Sequence, residues 1–305
     1  MTAQTYVAAA TVEEALDALA GGARPIAGGT DLVVGARGGK APLPEALVAI
    51  HGLAELRGIR EEGGGLVLGA LASHADIVRS EAARDRFTAL VDASAIVGSH
   101  ATRNSGTIGG NVMNASPAME TGGPLICFDA VATLRSSSGS RQVALADLFT
   151  GPGRTTAEPG ELLTEVALPA PAAGTGSCYA RLEYRRQMEI AIVGATAVVT
   201  LDGSTVSDAR IAITALAPTI HRVSDAEAAL VGSDGADGAV QAAADAAAAA
   251  SRPISDVRGS AGYRRAMAAV LARRAIASAL ARARGEQFPI PASPALHGAV
   301  NGGAA

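Results

Sequence analysis

The sequence has no tryptophan and an excess of alanine, a compositional bias that carries no functional information. It has only two cysteines, Cys127 and Cys178, far apart and each without a cysteine neighbour. A Cys₄ iron–sulfur cluster needs four thiolates, so the chain cannot hold one on its own. Both cysteines read as small buried apolar residues, which suits a reduced, cytoplasmic setting. The net charge is −4 and no basic stripe is visible, which argues against a nucleic-acid partner. No window approaches the ~20 apolar residues of a membrane span. The first residues, Met1-Thr2-Ala3-Gln4-Thr5-Tyr6, lack the basic and apolar regions of a signal peptide. The five histidines are scattered without metal-ligand spacing, and no nucleophile–base pair stands out. Gly-x-Gly-x-x-Gly after a strand is missing, and Gly39-Lys40 is followed by Ala41, so neither familiar nucleotide fingerprint is present.

What is there begins with 305 residues, about half of them apolar, enough for one to three domains and a substantial core. The most unusual stretch is Arg103 to Pro117, with three glycines and three asparagines among small hydroxyl residues. Gly109-Gly110 permits a close backbone approach that any Cβ would block. Consecutive N–H groups in such a loop can form an anion-binding concavity, and Thr107, Asn111, Asn114 and Ser116 add side-chain hydrogen bonds. A second stretch of this kind lies upstream, Pro25-Ile26-Ala27-Gly28-Gly29-Thr30-Asp31-Leu32. Together they suggest two cradles closing on one diphosphate.

Ala27 to Leu32, Arg103-Asn104 with Thr107 to Asn111, and Asn114 to Ala118 resemble the FAD-binding subunit of the molybdenum hydroxylases. The similarity runs from about Gln4 to about Glu286. It implies an α+β fold: a two-subdomain FAD-binding domain of the vanillyl-alcohol-oxidase/PCMH type, then a C-terminal three-stranded sheet with helices. It also implies that Pro25, Ile26, Ala27, Gly28, Gly29, Thr30, Asp31 and Leu32 line the pyrophosphate and ribityl chain of FAD. Thr107, Ile108, Gly109, Gly110 and Asn111 would hold the other side. Glu120 stands where the family usually has an aspartate bonding ribityl or adenosine hydroxyls. Arg181 and the run Arg185 to Ala191 would lie near the flavin ring, and Leu163 against the adenine or ring. No catalytic residue and no metal ligand is expected. Without an Arg-Ser-Gly-Gly-His pattern, the FAD would be non-covalent.

The resemblance further implies two partners, a small subunit with [2Fe–2S] clusters and a large one with molybdopterin, and it allows a dimer of such heterotrimers. In that assembly this chain passes electrons from the clusters through FAD to an external acceptor. A self-sufficient FAD-dependent oxidoreductase of the same fold is the alternative, and a scaffold without flavin a third reading. The flavin subunit does not touch the substrate, so carbon monoxide, purines, aldehydes and N-heterocycles all stay open.

The pattern of helix and strand signals divides the chain at residues 1–57, 58–173, 174–286 and 287–305. These are two FAD-binding subdomains, a C-terminal α+β domain beyond a Pro/Gly linker, and a loose tail. Thr11-x-x-Glu14 reads as a capping box. Residues 81–97 read as one helix, 131–135 and 162–168 as strands. Three strands at 179–184, 191–201 and 209–216, then helices at 225–231, 236–250 and 262–283, complete the chain.

Overall fold

The structure, a computed structural model, describes residues 5–294. Strands β1 (Thr5–Ala8), β2 (Arg24–Ile26) and β3 (Ala46–Ala49) form a parallel sheet in the order β1-β3-β2. Helix α1 (Val12–Ala20) starts where the Thr11 hydroxyl accepts from the Glu14 N–H, while the Glu14 carboxylate accepts from Ala10 N–H. Its buried face, Val12, Ala15, Leu16 and Leu19, packs with Val48, Leu53 and Leu56 into a small core. Helix α2 (Leu32–Arg37) follows the first glycine segment directly.

The second sheet is antiparallel. Its strands are β4 (Ile59–Glu62), β5 (Gly65–Gly69), β6 (Val131–Ser136) and β7 (Gly139–Ala144). After the short pair β8 (Phe149–Gly151) and β9 (Arg154–Thr155), β10 (Leu162–Leu168) enters its centre, giving the order β4-β5-β10-β6-β7. Between β5 and β6 run α3 (His74–Arg79), α4 (Glu81–Arg86), α5 (Thr88–Ile96), α6 (His100–Ser105), α7 (Ile108–Asn114) and α8 (Gly122–Cys127). Helix α9 (Leu145–Leu148) lies between β7 and β8.

The single helix expected over residues 81–97 is instead α4 and α5, broken at Phe87 (φ −125°, ψ 46°). The break lets the Phe87 ring bury completely, edge-on to Phe128 with centroids 4.9 Å apart. Burying such a ring is worth about 1.5–3 kcal/mol, more than the ~1 kcal/mol net of the helical hydrogen bond given up.

The C-terminal domain is an antiparallel sheet of β11 (Thr175–Leu182), β12 (Val193–Asp202), β13 (Thr205–Thr214) and the two-residue β14 (His221–Arg222), in that order. The fourth strand adds to the three legible in the sequence; two residues are too short for an alternation pattern to register. Helices α10 (Ser224–Leu230), α11 (Asp237–Ala250) and α12 (Ala261–Ala283) cover it, and their buried residues are largely alanine, so the helices seat close to the strands.

A buried ion pair ties the two domains. Asp92 of α5, wholly buried, accepts from both terminal nitrogens of Arg282 on α12 at 2.6 and 3.1 Å, and from the backbone N–H groups of Tyr179 (3.2 Å) and Ala292 (2.9 Å). The start of the expected loose tail is therefore docked: Ala292 and Ser293 are buried, and the Ser293 hydroxyl accepts from the Arg181 N–H at 2.9 Å. The reason is the demand of a buried carboxylate and a strand N–H for partners. The rest of that tail, 295–305, lies outside the described residues. No helix among the described residues is long and apolar enough to cross a membrane.

Candidate functional site

The two glycine segments, nearly eighty residues apart in the chain, touch. A Cβ on Gly28 would stand 1.8 Å from the Ser105 carbonyl oxygen and 2.6 Å from its carbon, so only glycine allows the contact. Gly29 takes φ 68°, the left-handed conformation that glycine adopts without strain. The Thr30 hydroxyl lies 3.5 Å from where a Cβ on Gly106 would be.

The second segment is not the open loop its composition suggests. It is the joint between α6 and α7, and Thr107 caps α7 by accepting from the Gly110 N–H at 3.0 Å. The N–H groups of Ile108 and Gly109 donate to the carbonyls of Ala72 and Ala70, each at 2.9 Å, and that of Asn111 to Thr107 at 2.9 Å. A Cβ on Gly109 would lie 2.7 Å from the Ala70 oxygen, so this glycine seats the helix against the chain leaving β5. The backbone donors of residues 108–111 are thus consumed inside the protein. By contrast, among the described residues, the N–H groups of Gly28, Gly29, Thr30 and Asp31 reach no acceptor in the chain. Four adjacent donors without partners form the kind of concavity that receives an anion.

A cleft of about 380 Å³ opens between the segments, with Ala27 and Gly28 on one side and Asn104, Ser105 and Thr107 on the other. His51, Arg57 and Leu71 also line it, as do Ser73, Asp76 and Arg79 from the start and end of α3. Of these six only Ser73-x-x-Asp76 carried a local signal, a capping box, which the structure contains with both reciprocal bonds. Arg57 and Arg79 carried none.

Of the other residues singled out in the sequence, Pro25 and Ile26 form β2 leading to the cleft, while Gly29, Thr30, Asp31 and Leu32 lead out of it into α2. Ile108 is buried in the core, and the Asn111 side-chain carbonyl accepts from the Thr121 hydroxyl at 2.6 Å. Leu163 is buried in the core of the second subdomain with Leu66 and Leu134. Glu120 and Arg181 sit together at 2.7 Å, both buried, with Arg181 also donating to Glu183 at 2.5 Å and to the Ile96 carbonyl at 3.2 Å. None of these three lines the cleft. Burial lifts the Glu120 carboxyl above its ordinary value even with Arg181 opposing. The basic segment after β11 reaches α6: the Met188 N–H donates to the Gly98 carbonyl at 2.9 Å, and the Thr102 hydroxyl to the Met188 sulfur at 3.5 Å.

His74 stands behind the cleft wall. Its backbone N–H donates to Gly106 at 3.2 Å, joining α3 to the second segment. Its ring is buried, Nδ1 has no partner, and burial, helped by the nearby Arg103 charge, pulls it down to about 4.

Paired segments closing one polar cleft, with unspent backbone donors on one of them, make an α+β domain with an arrangement that suits a diphosphate. Comparison with known proteins agrees. Residues 2–171 match the family model described as the FAD binding domain in molybdopterin dehydrogenase, and residues 178–279 match the CO dehydrogenase flavoprotein C-terminal domain. The carbon monoxide dehydrogenase medium chain of Hydrogenophaga pseudoflava is 38% identical over 239 residues, covering 78% of this chain and 83% of that one. The xanthine dehydrogenase FAD-binding subunit of Escherichia coli O157:H7 is 31% identical over 227 residues, 73% of this chain and 77% of the other. In structure, the chain is similar to a chain of the H. pseudoflava carbon monoxide dehydrogenase that lacks the Mo-pyranopterin moiety. The TM-score is 0.88 at 38% identity, over 92% of this chain and 98% of that one. The chain belongs to the family of FAD-binding medium subunits of the molybdenum hydroxylases, and is a flavoprotein subunit of an oxidoreductase.

Proposed function

We propose that this chain carries a non-covalently bound FAD in the cleft between the two glycine segments. There it links a small iron–sulfur subunit with [2Fe–2S] clusters, itself fed by a large molybdopterin subunit, to an external electron acceptor. The observation that carries the reading is the meeting of Gly28 with Ser105 at a polar cleft that Gly28 lines, with the N–H groups of residues 28–31 left without an acceptor in the chain. Those donors fit a diphosphate, because a rigid array of amide dipoles stabilises negative charge without reorganising. Pro25 to Leu32 would hold the pyrophosphate and ribityl chain. Thr107 and Asn111, with Ile108, Gly109 and Gly110 shaping the wall, would hold the other side.

Bound FAD supplies a centre that exchanges electrons one or two at a time, the property a relay between clusters and an external acceptor needs. The chain's own part is to bind and orient it. Glu120 and Arg181, in this reading, support the ring end of the site from behind. With Glu120 and Glu183 both on its guanidinium, Arg181 brings little uncompensated charge. Leu163 would act from the core beneath the site.

The test is purification of the chain from its native host. The expected result is a yellow complex containing two further chains, iron and molybdenum, with the flavin released by acid precipitation. A colourless protein, or a yellow one that turns over a substrate alone, would refute the reading.

A further inference from the structure

FAD carries two negative charges on its diphosphate, yet the one cation in the two glycine segments, Arg103, turns to the Val97 carbonyl at 2.9 Å and does not line the cleft, and the backbone donors of residues 108–111 are spent. The structure brings two guanidiniums to the same cleft from elsewhere. Arg57 follows the turn Ala54–Leu56, and Arg79 ends α3. Arg57 gives one terminal nitrogen to the His51 carbonyl. Arg79 reaches the Asn104 side-chain carbonyl at 3.3 Å and the Asp76 carboxylate at 3.6 Å. A guanidinium has five N–H donors, so both retain capacity for a ligand. Asp76 is the one carboxylate lining this cleft, and it also accepts from the Ser73 N–H (3.0 Å) and hydroxyl (2.7 Å) as part of the α3 cap. The lining is thus two cations against one carboxylate already engaged.

Building on the functional reading above, we propose that Arg57 and Arg79 bind the diphosphate of FAD and make the site select a dinucleotide over an unphosphorylated flavin. The backbone donors of residues 28–31 set the position of the diphosphate, and the two guanidiniums neutralise it. Their bidentate geometry suits non-bridging phosphate oxygens. Both side chains are exposed, so the interaction is reached from solvent and is sensitive to salt.

The test uses the full chain, with whatever partners co-purify, stripped of flavin and titrated with FAD and with riboflavin by flavin fluorescence. For Arg57→Gln and Arg79→Gln the expected loss of FAD affinity is about tenfold each, the size of one charge-assisted hydrogen bond net of water. Riboflavin binding stays unchanged. Raising salt should weaken FAD binding to the parent chain more steeply than to either variant, and Arg79→Lys should keep the salt slope while losing part of the affinity. Unchanged FAD affinity and salt slope in both variants overturns this inference and leaves the functional reading standing. Equal losses for FAD and riboflavin also overturn it, since they would mean a distorted cleft. A parent chain that takes up no flavin at all overturns the functional reading and this inference with it.

Discussion

His74 makes the stability of this protein depend on pH in a direction and amount that can be worked out. In the unfolded chain its ring titrates near 6.5; in the folded protein, burial and then the Arg103 charge hold it near 4. The unfolded state therefore binds the extra proton more readily, so stability is full above pH ~6.5 and is lost as pH falls toward ~4. The gap between those two values corresponds to roughly 3 kcal/mol in the acid limit. Between pH 7 and pH 4.5 the same linkage gives roughly 2–3 kcal/mol. The assay is urea unfolding of the parent chain and of His74→Gln at both pH values. The substitution removes the titrating ring, so the stability difference between the two proteins should narrow by roughly 2–3 kcal/mol at the lower pH. Carboxylates that also titrate in this range are common to both proteins and cancel in the comparison. Parallel pH profiles for the two proteins would refute the reasoning, because they would mean His74 is hydrated or paired in solution.

Gly28→Ala should drive a methyl into the Ser105 carbonyl, costing roughly 1–3 kcal/mol as overpacking does and separating the two segments. The flavin-to-protein absorbance ratio should fall sharply, and normal occupancy would show that the contact is dispensable. Asp92→Ala leaves Arg282 buried without its carboxylate and two backbone N–H groups without an acceptor, so stability should drop by about 3–5 kcal/mol; a thermal midpoint within a degree of the parent would contradict this. Thr107→Ala removes the cap of α7 and should cost roughly 1–2 kcal/mol, read as faster hydrogen exchange at Gly110; unchanged exchange there would rule the cap out as the source of protection.

Features set by neighbouring residues were legible without coordinates. Thr11 and Glu14 both act at the start of α1 as their spacing suggests, though the carboxylate takes the Ala10 N–H. Residues 237–250 and 261–283 are helices within one residue of where periodicity places them, and the cores of β6, β10, β12 and β13 lie where the apolar runs do. The two glycine segments stood out because stretches this rich in glycine, asparagine and small hydroxyl residues, with so little charge, have few other uses. Contacts across long separations were not legible. The partners of the Ile108 and Gly109 N–H groups lie on Ala72 and Ala70, the partner of Arg181 on Glu120, and the break at Phe87 answers to Phe128.

By itself, then, the sequence determined the two glycine segments, since close backbone approach and unstrained left-handed turns are properties of the residues themselves. Only the tertiary structure decided which of those segments keeps its donors available, that Arg57 and Arg79 join the cleft, and that Asp92 locks the C-terminal domain and the chain beyond α12 onto the rest. The physical reason is that a hydrogen-bond donor or a charge is satisfied by whatever acceptor the fold brings within about 3 Å, and no local pattern records which one that will be.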